Sequence, residues 1–585
     1  MTQDNVISRR DVLKAGALAA VVPAAGAGAF YFGYTHAEGN PLRVGVIGTG
    51  DEGNVLLGAM NPDYIEVKSI ADIRPYNQFR ALHGDWGVPE RPGLMAVYGW
   101  KTEEEARGHL KVYNHYMELL QNAKKDGIEA IVIGLPLHLH ARVAILAMRM
   151  GLHVLTEKLM AHSITQCKEM SLVAEETKKH LATGHQRHYN ILYHEAVDKI
   201  KRGLLGNIHY IRAQWHRGNS PGGDSWQLPM PRSVKPNDPQ AGKLYRELEN
   251  FKKELAAARG SEIENVAKKV AQKEAQIRDE ILTKGGKIEG IKFESAKEYG
   301  YEDRIIEWLD SQENKKKTYQ RPAGEELLRW RLWARTGGGL MVELGSHQLD
   351  AASIFLAANN DYYNGTNDGK KIHPLKVHVS ANRNLFEMDR EVNDHITTLV
   401  EFPAPDYNPD TQVGRKRKIC VQYSTINGNG FGGYGEIVYG TNGTLILEKE
   451  KDLQLFRDET ASKVVAKTAA GPTLDTQSSG SAQKAVAAGP KADVSRGYRE
   501  ELEHWAWCIR VNPNNKDKKL QPRCHPKIAL GDAVIALVTN IAADLGSSVE
   551  FKESWFDIAS DETPEGDILN VPGARPDVNK EEYKA

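Results

Sequence analysis

Leu42-Arg-Val-Gly-Val-Ile47 runs straight into Gly48-Thr49-Gly50-Asp51-Glu52-Gly53. The first six residues are short, apolar and rich in β-branched side chains, the pattern of a buried strand. The next six have the spacing G-x-G-x-x-G, and the apolar stretch at 55–60 suits a helix. Strand, glycine loop and helix in that order form a dinucleotide-binding fingerprint, which a lone glycine triplet does not. The first two glycines allow a tight turn and a close approach of backbone to a pyrophosphate. The third lets the helix pack on the strand, so that phosphate charge sits at the helix N-terminus. Thr49, Asp51 and Glu52 complete the loop as cofactor-contacting candidates. Asp72 closes the next strand, about 20 residues downstream. Its carboxylate suits both ribose hydroxyls and points to NAD. Arg74, beside it, suits a 2′-phosphate and keeps NADP open.

Working outward, strands are expected at 64–71, 111–113, 130–134 and 153–156, with helices at 116–125 and 139–150 between them. Strands alternating with helices argue for a parallel sheet with right-handed crossovers. After about residue 160 the rhythm changes. Helices are expected at 164–180 and 192–201, and strands at 208–215, 375–381, 395–402, 419–424, 435–439 and 443–447, the pattern of a larger, mainly antiparallel sheet. The fold class is α/β: an N-terminal Rossmann domain over 38–160 and an α+β domain over 161–560. The latter is expected to carry a helical insertion at 240–320 and a flexible loop at 459–493, with a tail at 561–585. Within the insertion, Leu244, Leu248, Phe251 and Leu255 mark one helical face, and Ile263, Val266, Val270, Ile277 and Ile281 another. Gly260 stops the first helix, Ser261 with Glu264 starts the second, and 240–285 reads as a helical hairpin.

The 585 residues carry a formal net charge of -1, so no global field recruits nucleic acid or an anionic membrane. Four cysteines, none in a C-x-x-C pair, argue against a disulfide framework and for buried, unremarkable thiols. Ser8-Arg9-Arg10-Asp11-Val12-Leu13-Lys14 precedes an Ala/Gly/Val-rich run at 15–29, the layout of an export signal or uncleaved anchor over 1–37. The adjacent arginines resemble the twin-arginine signal, which implies a periplasmic protein or one anchored to the outer side of the inner membrane. No later stretch is expected to be long and apolar enough to span a membrane.

Three further stretches carry chemistry. Leu135, Pro136 and His140 follow the strand that ends at Gly134 and are counted with the cofactor candidates. Thr156-Glu157-Lys158 ends a later strand, where ligands of open parallel sheets bind, and there a lysine points a cation into the cleft. A surface Glu–Lys pair is the plainer alternative. In Gly337-Gly-Gly-Leu-Met-Val-Glu343-Leu-Gly-Ser-His347-Gln-Leu-Asp350, a helix starting after Gly339 puts Glu343 and His347 four apart on one face. A histidine beside a carboxylate is a candidate acid/base pair or a structural ion pair. No third ligand completes a metal site, and none is expected.

These features, together with Arg187-x-x-Asn190 and Gly203-x-x-Gly206, stand in one order that resembles the Gfo/Idh/MocA oxidoreductases, the type of glucose–fructose oxidoreductase and inositol dehydrogenase. The likeness runs over about 42–215, resumes at 330–360, and returns weakly at 435–444. It implies catalytic roles for Lys158, His347 and Glu343 around a substrate hydroxyl. His347 removes the proton, Lys158 stabilises the oxygen, and Glu343 orients the histidine or binds another hydroxyl. Leu159 departs from the family's usual proline, and Glu343 from its commoner aspartate. The implied activity is NAD(P)-dependent oxidation of a hydroxyl of a sugar, cyclitol or glycoside, in a homo-oligomer. Outside the cytoplasm, free cofactor is scarce, so an exported enzyme is expected to keep its cofactor and recycle it. One alternative is an NAD-dependent glycoside hydrolase that oxidises, eliminates and re-reduces. Another is a non-catalytic exported sugar-binding protein. Arg187, Trp215, His216 and Trp226 are the substrate-binding candidates, and the insertion is either a substrate lid or a peripheral hairpin.

Overall fold

The computed structural model describes residues 32–34, 39–221, 223, 235–260, 262–279, 296–297, 299–310, 314–457, 462–468, 472–476 and 496–584. The expected export signal up to residue 31, Trp226 and the Ser261 cap lie outside the described residues.

Six parallel strands form the first sheet: β1 Leu42–Ile47, β2 Ile65–Ala71, β3 Lys111–Tyr113, β4 Ala130–Ile133, β5 His153–Glu157 and β6 Leu181–Gly184. Their order is β3-β2-β1-β4-β5-β6. Helices α1 Asp51–Ala59, α2 Pro75–His83, α3 Tyr116–Asn122, α4 His140–Arg149 and α5 Ile164–Thr177 alternate with them. The order reverses beside β1, and that switch point opens a crevice at the carboxyl ends of the strands. Local signals explain the helix starts. The Ser163 side chain accepts from the Gln166 amide and caps α5, which ends where Lys178 turns left-handed at φ 55°. The expected boundary at 160 is too early, because β6 belongs to the same sheet. Leu181-Ala-Thr-Gly184 is only four residues long and lacks a β-branched run, so its sequence does not announce a strand.

The second sheet has ten strands in the order β17-β16-β15-β14-β13-β7-β12-β11-β10-β18. Here β7 is Ile208–His216, β10 Lys376–Asn382, β11 His395–Pro403, β12 Lys418–Ile426, β13 Tyr434–Gly440, β14 Gly443–Glu448, β15 Asp452–Arg457, β16 Ser462–Thr468, β17 Pro472–Thr476 and β18 Val549–Glu550. Strand β7 is central, parallel to β12 and antiparallel to β13. Two expectations need correction. The 459–493 stretch is not all loop, because it supplies β16 and β17. The 240–320 insertion is not all helix. It begins with α7 Pro239–Ala257 and α8 Glu262–Ile277, packed on each other through Leu244, Leu248 and Val270, but a two-stranded hairpin follows, β8 Arg304–Leu309 with β9 Lys316–Arg321.

Further helices complete the cores. Helix α6 Ile191–Lys201 packs on α9 Ser346–Asn364. Helix α10 Tyr498–Val511 belongs with the first sheet, not the second domain: its Leu502, Trp505, Ala506 and Ile509 share one buried cluster with Val44, Leu56 and Leu155. Burial of Leu502 and Ile509 contributes roughly 1.5–3 kcal/mol each. Helix α11 Pro526–Leu545 corrects the membrane expectation, since it is long and apolar enough to cross a bilayer. It is mostly buried, against α5 and β10, as a core helix. The tail folds back on α5, where the Tyr583 hydroxyl donates to Glu169 at 2.7 Å. The described cysteines are unpaired, three of them buried and Cys420 partly so.

Candidate active site

A cleft of about 530 Å³ lies at the carboxyl ends of the parallel strands and is walled on its far side by β7 and β13. The glycine loop forms its floor. Gly48 has φ 85°, and a Cβ there would sit 2.4 Å from the Gly134 carbonyl oxygen. A Cβ on Gly53 would sit 2.1 Å from the Gly48 carbonyl oxygen. Gly50 instead faces open space, its nearest neighbour 3.8 Å away, and it precedes α1 with no side-chain cap. Backbone amides at a helix start therefore meet an open cradle, the donor set a pyrophosphate needs. Asp51 and Glu52 put negative charge in that first turn. Burial pushes the Asp51 carboxyl up, but Arg80, Arg331 and Arg91 outweigh it and hold the group well below the carboxylate range. Arg80 lies 2.6 Å and Arg91 3.4 Å from Asp51. Of the loop, Gly48, Gly50, Asp51 and Glu52 line the cleft. Thr49 is buried and faces inward, and Gly53 is the packing contact with β1's end.

Asp72 lines the cleft, but the expected grip on two ribose hydroxyls is narrowed. One oxygen accepts from the Arg74 amide at 2.8 Å; the other accepts from the Thr49 amide at 2.8 Å, from Asn77 at 3.1 Å and from the Thr49 hydroxyl at 3.4 Å. Each carboxylate oxygen has about two acceptor positions, so only the oxygen facing the Arg74 amide keeps one for a ribose hydroxyl. Arg74 also lines the cleft, and its guanidinium is held by Asp279, just beyond α8, at 2.7 Å.

Glu157 and Lys158 stand at the end of β5 and line the same cleft, as do Leu135 and Pro136. His140 does not reach it. Its ring is buried against the carbonyl oxygens of Leu135 (2.7 Å) and Leu159 (2.9 Å), where it pins the loop that lines the cleft. Burial lowers the Lys158 ammonium against the opposing pull of Glu157 and Glu343, and burial with Glu52 nearby raises Glu157. Lys158 Nζ donates to the backbone carbonyl of Glu343 at 2.8 Å. An ammonium has three donors, so two remain for a ligand.

Glu343 and His347 both line the cleft, on the same side of the helical run that follows Gly338, as their spacing implies. Residues Met341–Gly345 form one wide π-turn that runs into α9 at Ser346. The Glu343 carboxylate pairs with Arg217 at 3.1 Å and Arg331 at 3.2 Å. Burial pushes it up, but those two arginines and Lys158 outweigh that and keep it ionised. The orienting contact to His347 is thus replaced by an arginine clamp. His347 packs its ring 5.5 Å from Trp215, and burial, with Lys158 and Arg187 nearby, holds it well below the usual histidine range.

Two substrate candidates move. Alternation along β7 puts Trp215 and Arg217 on the cleft face and His216 on the other. Arg187 is fully buried and does not line the cleft. It donates to Glu450 (3.0 Å), Glu436 (3.0 Å) and the backbone carbonyl of His347 (2.9 Å), so it supports the histidine from behind. Nearby, His188 contacts Asp350 at 2.9 Å and Lys371 pairs with Asp532.

Several cleft residues escaped the sequence reading. Tyr434 stacks on Trp215 at 4.5 Å because the two are direct cross-strand partners. Arg217 was findable from the same alternation. Trp330 and Arg331 lie just before the Gly337 triplet, Tyr299 and Tyr301 come from the insertion, and Arg496 and Tyr498 come from the approach to α10. None of those has a motif.

Residues 42–185 match the Gfo/Idh/MocA oxidoreductase family, described by its NAD-binding Rossmann fold. This chain therefore has a nucleotide domain of that type, and NAD is the cofactor the cradle fits. A glycosyl hydrolase family 109 protein of Solibacter usitatus (strain Ellin6076) is 23% identical over 216 residues, 36% of this chain and 46% of the relative. A 1-carboxy-3-chloro-3,4-dihydroxycyclo hexa-1,5-diene dehydrogenase of Comamonas testosteroni is 32% identical over 90 residues, 15% of this chain and 23% of the relative. The matches thus span less than half the length of these curated relatives. An inositol dehydrogenase homolog from Azotobacter vinelandii, solved with NADH and myo-inositol, shares the fold with a TM-score of 0.51 at 12% identity, covering 89% of this chain and 100% of that one.

Proposed function

We propose that this protein, built on an NAD-binding domain of the Gfo/Idh/MocA type, oxidises a hydroxyl of a sugar, cyclitol or glycoside and keeps its cofactor between turnovers. The observation that supports this best is that Lys158 and His347 line the same cleft as the glycine loop. Bound nicotinamide supplies the two-electron oxidation and reduction. The chain's own groups handle the proton. His347, kept neutral by its surroundings, takes the hydroxyl proton, and Lys158 donates to the same oxygen and stabilises charge there. The Glu343 clamp, with Arg217 and Arg331, offers a polar wall for other hydroxyls, and Trp215 stacked on Tyr434 offers an apolar face for a ring. Release of the cofactor on denaturation, identified by mass spectrometry, followed by a sugar and glycoside screen without added NAD, tests the reading. An empty protein that needs millimolar added NAD overturns the retained-cofactor part. No turnover of any polyol even with added NAD overturns the oxidoreductase part.

A second reading is redox-neutral glycoside cleavage, supported by the likeness to family 109 glycosyl hydrolases. Release of free sugar from nitrophenyl glycosides without net NADH formation distinguishes it. Export through the twin-arginine route belongs to the same proposal, because the route carries folded, cofactor-loaded proteins. A fusion of residues 1–37 to a reporter that works only outside the cytoplasm tests it.

A further inference from the structure

We propose that Asp279, supplied by the insertion, sets the cofactor preference by holding Arg74 away from a 2′-phosphate. This rests on the dinucleotide reading of the cleft and adds a residue that the dinucleotide fingerprint does not contain. Arg74 stands two residues after Asp72, at the start of α2, where a guanidinium is the standard receiver of a 2′-phosphate. Here both its Nε and Nη2 lie 2.7 Å from one Asp279 oxygen. The pair is buried, Asp279 to 1% side-chain exposure and Arg74 to 10%. The Asp279 charge thus cancels the Arg74 charge on the cleft wall. At the cleft wall an incoming phosphate dianion therefore meets the Asp72 carboxylate and a guanidinium already paired with a buried carboxylate. Like charges brought together in a partly desolvated site oppose binding.

The insertion is anchored where this requires. Gln272 of α8 donates to Asp85 at 2.8 Å and to the Tyr76 hydroxyl at 3.2 Å, and it accepts from the Trp86 amide at 2.8 Å. Lys269 lies over the Trp86 ring at 4.3 Å. These partners belong to α2 and the segment after it, so the hairpin sits on the nucleotide domain at the Asp72 end of the cleft. That end holds the adenosine ribose in the fingerprint's arrangement.

The test is binding, not turnover. Charcoal-treated protein is titrated with NAD⁺ and with NADP⁺ by calorimetry, for the parent, Asp279→Asn and the double variant Asp279→Asn/Arg74→Gln. The parent is expected to favour NAD⁺ at least tenfold. Asp279→Asn is expected to tighten NADP⁺ about tenfold with NAD⁺ within threefold, and the double variant to lose that gain. A folded Asp279→Asn with unchanged NADP⁺ affinity overturns the proposal. If that variant does not fold, Arg74→Gln alone decides. An NADP⁺-to-NAD⁺ ratio within threefold of the parent's supports a guanidinium already withdrawn, and a tenfold fall overturns it. Binding of neither dinucleotide by the parent overturns the cofactor reading, and the proposal with it.

Discussion

Lys158 donates its ammonium to the backbone carbonyl of Glu343, not to that residue's carboxylate. The lysine is therefore aimed by the π-turn itself, whatever side chain position 343 carries. Lys158→Ala is expected to cut turnover by about 10²- to 10⁴-fold, the usual reach of a positioned proton or charge donor, while the cofactor stays bound. Cofactor content by mass spectrometry and steady-state rates check this together. Unchanged turnover would favour a binding protein.

Glu343→Gln separates the carboxylate from the carbonyl. The Lys158 anchor survives, but Arg217 and Arg331 lose their shared anion. A stability loss of about 1–3 kcal/mol is expected in denaturant titration. The turnover loss should be smaller than at Lys158. A loss as large as that at Lys158 would give the carboxylate a direct part in the chemistry.

The pH profile follows from two shifts. His347 must be neutral to take a proton, and its surroundings lower its affinity for one, so activity is lost only as pH falls well below 6.5. Lys158 must be charged, and burial lowers it, so activity is lost as pH rises before the 10.5 of an ordinary lysine. The dependence of kcat/KM on pH should be flat through neutrality. An acid limb centred at 6.5 would argue against His347 as the base.

Arg187→Met leaves Glu436 buried without its cation and Glu450 with Arg496 alone, at 3.0 Å. A loss of about 3–5 kcal/mol is expected, the scale of a broken buried pair. A well-folded variant with only a raised KM would restore Arg187 to the substrate contacts.

Glu129 ties β4 to α10 through Arg510, at 2.8 Å, and also meets Arg43. Hydrogen bonds from Arg510 lead the effects that bring its carboxyl down to about 2 in the fold. A depressed carboxylate contributes stability that is complete above its unfolded value near 4.5 and is lost as pH falls through about 2. The stability gap between parent and Glu129→Gln should therefore close between those values. A gap independent of pH would remove the ion pair from the account.

Much of the fold was legible because its signals are local. The run from Leu42 to Gly53 needs only neighbouring residues to read, and β10 to β14 begin and end within two residues of their expected places. What failed depends on partners distant in sequence. β6 is too short to announce itself. β16 and β17 sit in an Ala/Ser/Lys-rich stretch whose pairing, not composition, makes them strands. At the site, motifs found Lys158 and His347. Alternation along β7 would have found Arg217 and rejected His216. Arg331 and Tyr301 reach the cleft, and Asp279 reaches Arg74 behind its wall, only through tertiary packing. The four-residue spacing of Glu343 and His347 rightly put both on the cleft face, but it could not show that Arg217 and Arg331 take the carboxylate.

The placement of α10 has a consequence for how the chain assembles. Its Trp505 and Ile509 fill the core of a sheet whose first strand begins at Leu42, so that core closes only after the long stretch from Leu42 to Trp505 has been made. Closing so long a loop is slow, and the nucleotide domain has to wait on the ribosome with one side bare. Ligand loading then becomes a late event in biogenesis, coupled to completion of the whole polypeptide. An isolated fragment ending near residue 190 should aggregate or stay molten, and adding a peptide spanning 496–512 should rescue it.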